Sequence, residues 1–100
     1  MIKHIVMWRL LAEAQGNSKS ANAELMKEKL EALEGRIPGL LKIEVGLDVG
    51  GTEASADVVL YSELADQEAL AAYQSHPEHE AVKAFIGEVQ SERWVVDYQA

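Results

Sequence analysis

The sequence predicts an α+β fold in which a four-stranded antiparallel sheet is covered by helices on one face only. Three observations predict it: segments whose apolar residues alternate, segments whose apolar residues recur every three or four positions, and the order of these segments. That order is strand, helix, strand, strand, helix, strand. Two helical regions cannot cover both faces of such a sheet, and right-handed crossovers place both on the same side.

Residues 2–9, Ile-Lys-His-Ile-Val-Met-Trp-Arg, are β-branched, aromatic and short, as a strand requires. Ile2, His4, Val6 and Trp8 share one side, and Ile5 and Met7 point to the other. After a polar passage, Met26, Leu30, Leu33 and Ile37 form the stripe of an amphipathic helix from about Ser20 to Glu34, which Gly35 is expected to cap and Pro38 to stop. Leu41, Ile43, Val45, Leu47 and Val49 then alternate with mostly polar residues, predicting a second strand with one dry face. Gly50-Gly51 supplies the turn of a hairpin, and residues 57–63 its returning strand. Asp66 stands where a helix N-cap belongs, with Leu70 and Tyr73 on the buried face. Pro77 disfavours helical geometry at His76 yet suits the first position of a new helix carrying Val82, Phe85, Ile86 and Val89, so the second helical region should bend at His76-Pro77. Residues 93–99 read as a closing strand with Trp94, Val96 and Tyr98 on one face.

Composition narrows the functional classes. The 100 residues are 48% hydrophobic, with 17 acidic against 9 basic side chains and a net charge of −8. Such a chain is poorly suited to nucleic acid or an anionic membrane, both of which select basic surfaces. Cysteine is absent, so disulfides, thiolate nucleophiles and thiolate metal sites are excluded. No signal-peptide core or 18-residue apolar run occurs, and a cytoplasmic location is expected. The length fits one domain, residues 1–100. A domain of this size buries only about 60 to 70% of its unfolded surface, which leaves partner contacts room to stabilise it. The first and last strands carry apolar side chains on both faces, where a water-facing sheet surface should alternate with polar ones. A symmetric homodimer enclosing a barrel-like interior is therefore expected.

The opening Ile2-Lys3-His4-Ile5-Val6, the strand Asp57-Val-Val-Leu-Tyr-Ser-Glu-Leu, and Ala69-Leu-Ala-Ala-Tyr-Gln-Ser-His-Pro-Glu-His resemble the stress-responsive α/β-barrel domain (Dabb) family over nearly the whole chain. The resemblance implies a ferredoxin-like βαββαβ protomer that pairs into a dimeric α/β barrel. The family includes the plant olivetolic acid cyclase, a metal-independent enzyme, and its catalytic tyrosine and histidine match Tyr73 and His79; a pocket histidine on its first strand matches His4. A further histidine of that enzyme, near the start of the third strand, has no counterpart here. Asp57 and Val58 stand closest, which puts polyketide cyclisation in doubt.

The chemistry is coherent: a neutral imidazole can take a proton from the carbon beside a ketone, while a phenol holds the carbonyl oxygen that gains charge. Each residue also has a plainer reading. Tyr73 suits a core aromatic, and His76 suits a cap whose ring satisfies the backbone at the bend. His4, Val6, Trp8, Asp57 and His76 are the candidate ligand-binding residues, with Tyr73 and His79 the candidate catalytic pair. His76 and His79 lack a defined third ligand, so no metal site and no cofactor is expected, although loose magnesium on carboxylates stays open. The glycines after the second strand lead into a hairpin where a phosphate-binding loop would lead into a helix, and Ser62, Ser75 and Ser91 lie in no nucleophile-elbow pattern. The leading expectation is a homodimer binding a small apolar organic molecule in the barrel interior. The alternatives are an acid-base enzyme using His79 and Tyr73, and a structural dimer with a filled interior.

Overall fold

A computed structural model describes residues 1–100. The chain forms β1 (Ile2–Leu10), a small hairpin of β2 (Glu13–Ala14) and β3 (Asn17–Ser18), α1 (Lys19–Glu31), β4 (Leu40–Leu47), β5 (Val58–Leu64), α2 (Gln67–Ser75), α3 (Pro77–Val89) and β6 (Gln90–Gln99). The main sheet has the order β4-β5-β1-β6 with every pair antiparallel, the ferredoxin-like arrangement expected. No helix is long and apolar enough to cross a membrane.

Strand alternation decides what each sheet face does. Ile2, His4, Val6, Trp8 and Leu10 of β1 are buried on the helix side. Their cross-strand neighbours on β5, among them Val58, Leu60, Ser62 and Leu64, are buried with them. Met26 and Leu30 of α1, Tyr73 of α2 and Val82, Ile86 and Val89 of α3 complete the core against that surface. The intervening β1 residues Lys3, Ile5, Met7 and Arg9 point to the opposite, helix-free side, opposite Tyr98, Val96, Trp94 and Glu92 of β6.

Local chemistry explains the element ends. Ser18 caps α1 by accepting the Ala21 backbone N–H at 3.2 Å, and Asp66 caps α2 by accepting that of Ala69 at 2.8 Å. His76 is extended, φ −64° and ψ 134°, so the second helical region is two helices broken at His76-Pro77. Gly39 has a φ of +84°, and a Cβ there would lie 2.6 Å from the Ala69 Cβ; the chain entering β4 passes α2 at a distance only glycine permits.

Several expectations need correction. The polar passage holds the β2–β3 hairpin, whose turn places Gln15 and Gly16 at φ +54° and +76°. Helix α1 ends at Glu31 with Ala32 as C-cap, so Gly35, φ +77°, serves a following turn. The second strand starts at Leu40 and its register shifts between Leu40 and Lys42. Ile43 and Val45 are buried as expected, whereas Leu41 and Val49 are exposed: the shift removes the first from the alternation and the strand ends before the second.

Candidate functional site

A cavity of about 360 Å³ lies between the helix side of the sheet and α3. His4, Val6 and Trp8 of β1 and Leu60 of β5 form its floor, Leu30 of α1 one wall, and His79, Ile86 and Gly87 of α3 another. Gln74, Lys83, Gln90 and Arg93 complete the lining. Its position differs from that of a barrel interior shared between two protomers, where the ligand site was expected. Residues of even number on β1 face the helices, so this cavity and the helix-free face lie on opposite sides of one sheet.

The break at His76-Pro77 places His79 in the first turn of α3, and its ring is 7% exposed. Tyr73, at the end of α2, is fully buried and stacks on His79 with ring centroids 4.1 Å apart and planes 29° apart. His4 meets the same tyrosine edge-on, with centroids 5.8 Å apart. The structure thus brings together the three residues singled out from the sequence. Tyr73 does not line the cavity itself, and His79 stands at the wall in contact with it.

Burial sets the protonation of this group. It pushes the His79 imidazole down from 6.5 to about 4, because the ring would exchange hydration for apolar neighbours; the Lys83 charge acts in the same direction. At neutral pH His79 is therefore an uncharged ring able to accept a proton. Burial also pushes the Tyr73 phenol up, keeping it a neutral hydrogen-bond donor. Three polar atoms in this cluster are buried without a partner: Trp8 Nε1, Tyr73 Oη and His79 Nδ1. An unmet buried donor or acceptor costs about 1–3 kcal/mol.

Sequence reasoning missed Asp97. It is the cross-strand partner of His4, and its carboxylate bonds His4 Nδ1 across the β1–β6 pair. A carboxylate that accepts the Nδ1 proton fixes the orientation of the ring. Trp8, one of the candidate ligand-binding residues, lines the cavity, and its indole N–H is buried without a partner.

Two candidates sit elsewhere. Asp57 lies at the β5 entrance, where its carboxylate accepts the Leu10 backbone N–H at 2.8 Å and is 3.6 Å from Lys19 Nζ; it does not line the cavity because it ties strand ends together. His76 likewise lies off the cavity lining: its Nδ1 accepts the Glu78 backbone N–H at 3.2 Å, the N-cap of α3. No group of three or more His, Asp or Glu side chains that could hold a metal ion occurs.

The fold and this cavity define a class, a ferredoxin-like α+β protein with a histidine-bearing pocket between sheet and helices. Residues 2–100 match the Stress responsive A/B Barrel Domain family, Dabb, and the chain belongs to it. A dimeric protein of unknown function with a ferredoxin-like fold from Bacteroides fragilis is 34% identical, with a TM-score of 0.88 over 99% of this chain and 95% of that one. A dimeric ferredoxin-like protein of unknown function from Thermobifida fusca is 26% identical, with a TM-score of 0.83 over 99% and 90%. A hydroxynitrile lyase from Passiflora edulis, 16% identical with a TM-score of 0.78 over 97% and 90%, shares the fold. No curated protein matches this sequence.

Proposed function

We propose that this protein is a homodimer in which each protomer holds a small, mainly apolar organic molecule between its sheet and α3. The observation that carries the binding reading is the cavity of about 360 Å³, whose apolar lining of Val6, Trp8, Leu30, Leu60 and Ile86 is interrupted by the polar side chains of His4, Gln74 and His79. An apolar wall with a few convergent polar atoms is the usual composition of a small-molecule site. It also weighs against the filled-interior alternative. Pairing through the helix-free sheet face is supported by its exposed Met7, Trp94, Val96 and Tyr98 and by the dimeric state of the Bacteroides and Thermobifida proteins.

Gly87 provides the test of binding. It lines the cavity, and a Cβ added there meets nothing within 4 Å, so Gly87→Leu fills space without backbone strain. The parent should bind 1-octanol saturably by calorimetry, and Gly87→Leu should lose that binding while melting no lower than the parent. Equal binding by both would sink the cavity reading.

A second reading is proton transfer at the carbon beside a carbonyl, favoured by the neutral His79 against Tyr73 and by the carboxylate-held His4. His79 would be the base; for Tyr73, which lies behind His79 and off the lining, to hold the carbonyl oxygen the cavity would have to open to its hydroxyl. In D2O, the parent should exchange the α-protons of small polyketide-like ketones faster than buffer and faster than His79→Ala. No acceleration by the parent across the panel leaves binding alone.

A further inference from the structure

The cavity departs from the charge of its own protein. The chain carries 17 acidic and 9 basic residues, yet the cavity lining includes Lys83 and Arg93 and no carboxylate. The nearest acids are otherwise engaged: Asp97 holds His4, and Glu80 sits 2.9 Å from Lys83 Nζ. Lys83 is thus partly neutralised, its ammonium also donating to the Gln74 carbonyl at 3.1 Å. Arg93 is different. It takes part in none of the chain's ion pairs, although 17 acidic residues are available to it.

Register explains its placement. Arg93 of β6 is the cross-strand partner of Trp8 on β1, so both project to the helix side of the sheet. Trp8 is buried with its indole N–H unpartnered, and Arg93 is exposed. The cavity therefore grades from an apolar floor that includes Trp8 to a free guanidinium at its exposed margin. A guanidinium presents a planar fork of donors that matches a carboxylate with two parallel hydrogen bonds.

We infer that the molecule held in the cavity is an amphipathic carboxylate, its hydrocarbon body against Val6, Leu30, Leu60 and Ile86 and its carboxylate on Arg93, with Lys83 in support. The inference rests on the cavity reading above and adds the charge of the ligand to it. At a distance a chain of net charge −8 repels an anion, so selectivity has to arise locally, within the screening length of about 10 Å at 0.1 M salt.

Octanoate, 1-octanol and octylammonium share one hydrocarbon chain and differ in head group, and titration calorimetry on the full-length protein separates them. The parent should bind octanoate about tenfold more tightly than 1-octanol at low salt, the increment expected of one charge-assisted contact, and octylammonium more weakly than either. Adding salt should narrow the gap. Arg93→Gln should lower octanoate affinity about tenfold and leave 1-octanol within about twofold, while Arg93→Lys, which keeps the charge and loses the fork, falls between. Arg93 is exposed, and unchanged thermal melts confirm that these variants fold.

If octanoate and 1-octanol bind the parent equally, or if Arg93→Gln weakens both alike, the carboxylate inference is overturned and the cavity reading stands. If none of the three probes binds the parent, both fall together.

Discussion

The two faces of the sheet are built from the same four strands and end in opposite states. On β1, Val6 is 2% and Trp8 3% exposed on the helix side, whereas the intervening Met7 is 41% exposed. On β6, Trp94, Val96 and Tyr98 are all more than 40% exposed on the helix-free side. Along β1 and β5 the chain's own helices close one face except at the cavity, while β6 stays exposed on both sides, Val95 opposite Val6 being 48% exposed; the helix-free face offers its apolar surface to nothing within the protomer. Hydrophobic composition alone therefore does not separate core from contact surface; alternation does, by assigning neighbouring residues to different partners.

Each face can be broken separately. Ile5→Glu places a carboxylate opposite Val96 in the middle of the helix-free face. An unpaired charge buried in a contact costs several kcal/mol per ion, and the two-fold relation of a homodimer would apply it twice. Light scattering should return the protomer mass in place of the dimer mass, and an unchanged dimer mass would exclude this face as the contact. On the helix side, Leu60 is 1% exposed, and Leu60→Ala should lower unfolding free energy by about 2–5 kcal/mol by denaturant melt. The mass of the folded species should stay that of the parent, and a dissociated protein would show that the two faces are not independent.

Acid sharpens the contrast on the helix side alone. The folded pKa of His79 is depressed to about 4 from 6.5, so above 6.5 the ring is neutral in both states and imposes no cost. As pH falls from 6.5 toward 4 the unfolded chain takes up a proton that the folded one refuses, and stability falls. Glu31 and Asp48 have depressed carboxyl pKa values, the first through its bond from Lys27 and the second through the Gly51 backbone N–H. Their contributions start to be lost as pH falls into the usual carboxylate range and are gone only below their own depressed values. The fall in Tm between pH 6.5 and 4.5 should shrink in His79→Leu, and an identical fall in both proteins would assign it elsewhere. The smallest effect is expected of Tyr73→Phe, which removes an unpartnered buried hydroxyl. It should leave stability unchanged or raise it by about 1 kcal/mol in a denaturant melt, and a loss beyond about 2 kcal/mol would reveal a hydrogen bond to that hydroxyl.

Fold and site were legible to different depths because they depend on signals of different range. The alternation of β1, the Met26–Leu30–Leu33 stripe and the break at His76-Pro77 are local patterns, and all of them carried through to structure. The β2–β3 hairpin was hidden because Gln15-Gly16 lacks the Asn-Gly or Asp-Gly chemistry that announces a two-residue turn. Leu41 was misplaced because a register shift at the start of β4 breaks a pattern that the sequence continues. In the site, His4, Tyr73 and His79 could be picked out by residue type and by family resemblance. Asp97 could not, since its partner lies 93 residues away and only strand register joins them. Arg93 was unremarked for the same reason: its meaning comes from standing opposite Trp8.

The alternation of β1 gives this strand a particular mutational grammar. Even-numbered positions from Ile2 to Leu10 face the helices and, on the proposed reading, the guest, and odd-numbered ones from Lys3 to Arg9 face the helix-free side and, on the same reading, the partner. On that proposal a substitution at one parity can be tuned with little effect on the other, and ligand choice and assembly could diverge independently among relatives. Insertion or deletion of a single residue within the strand has no such freedom, because the slip exchanges the two vocabularies at every position downstream.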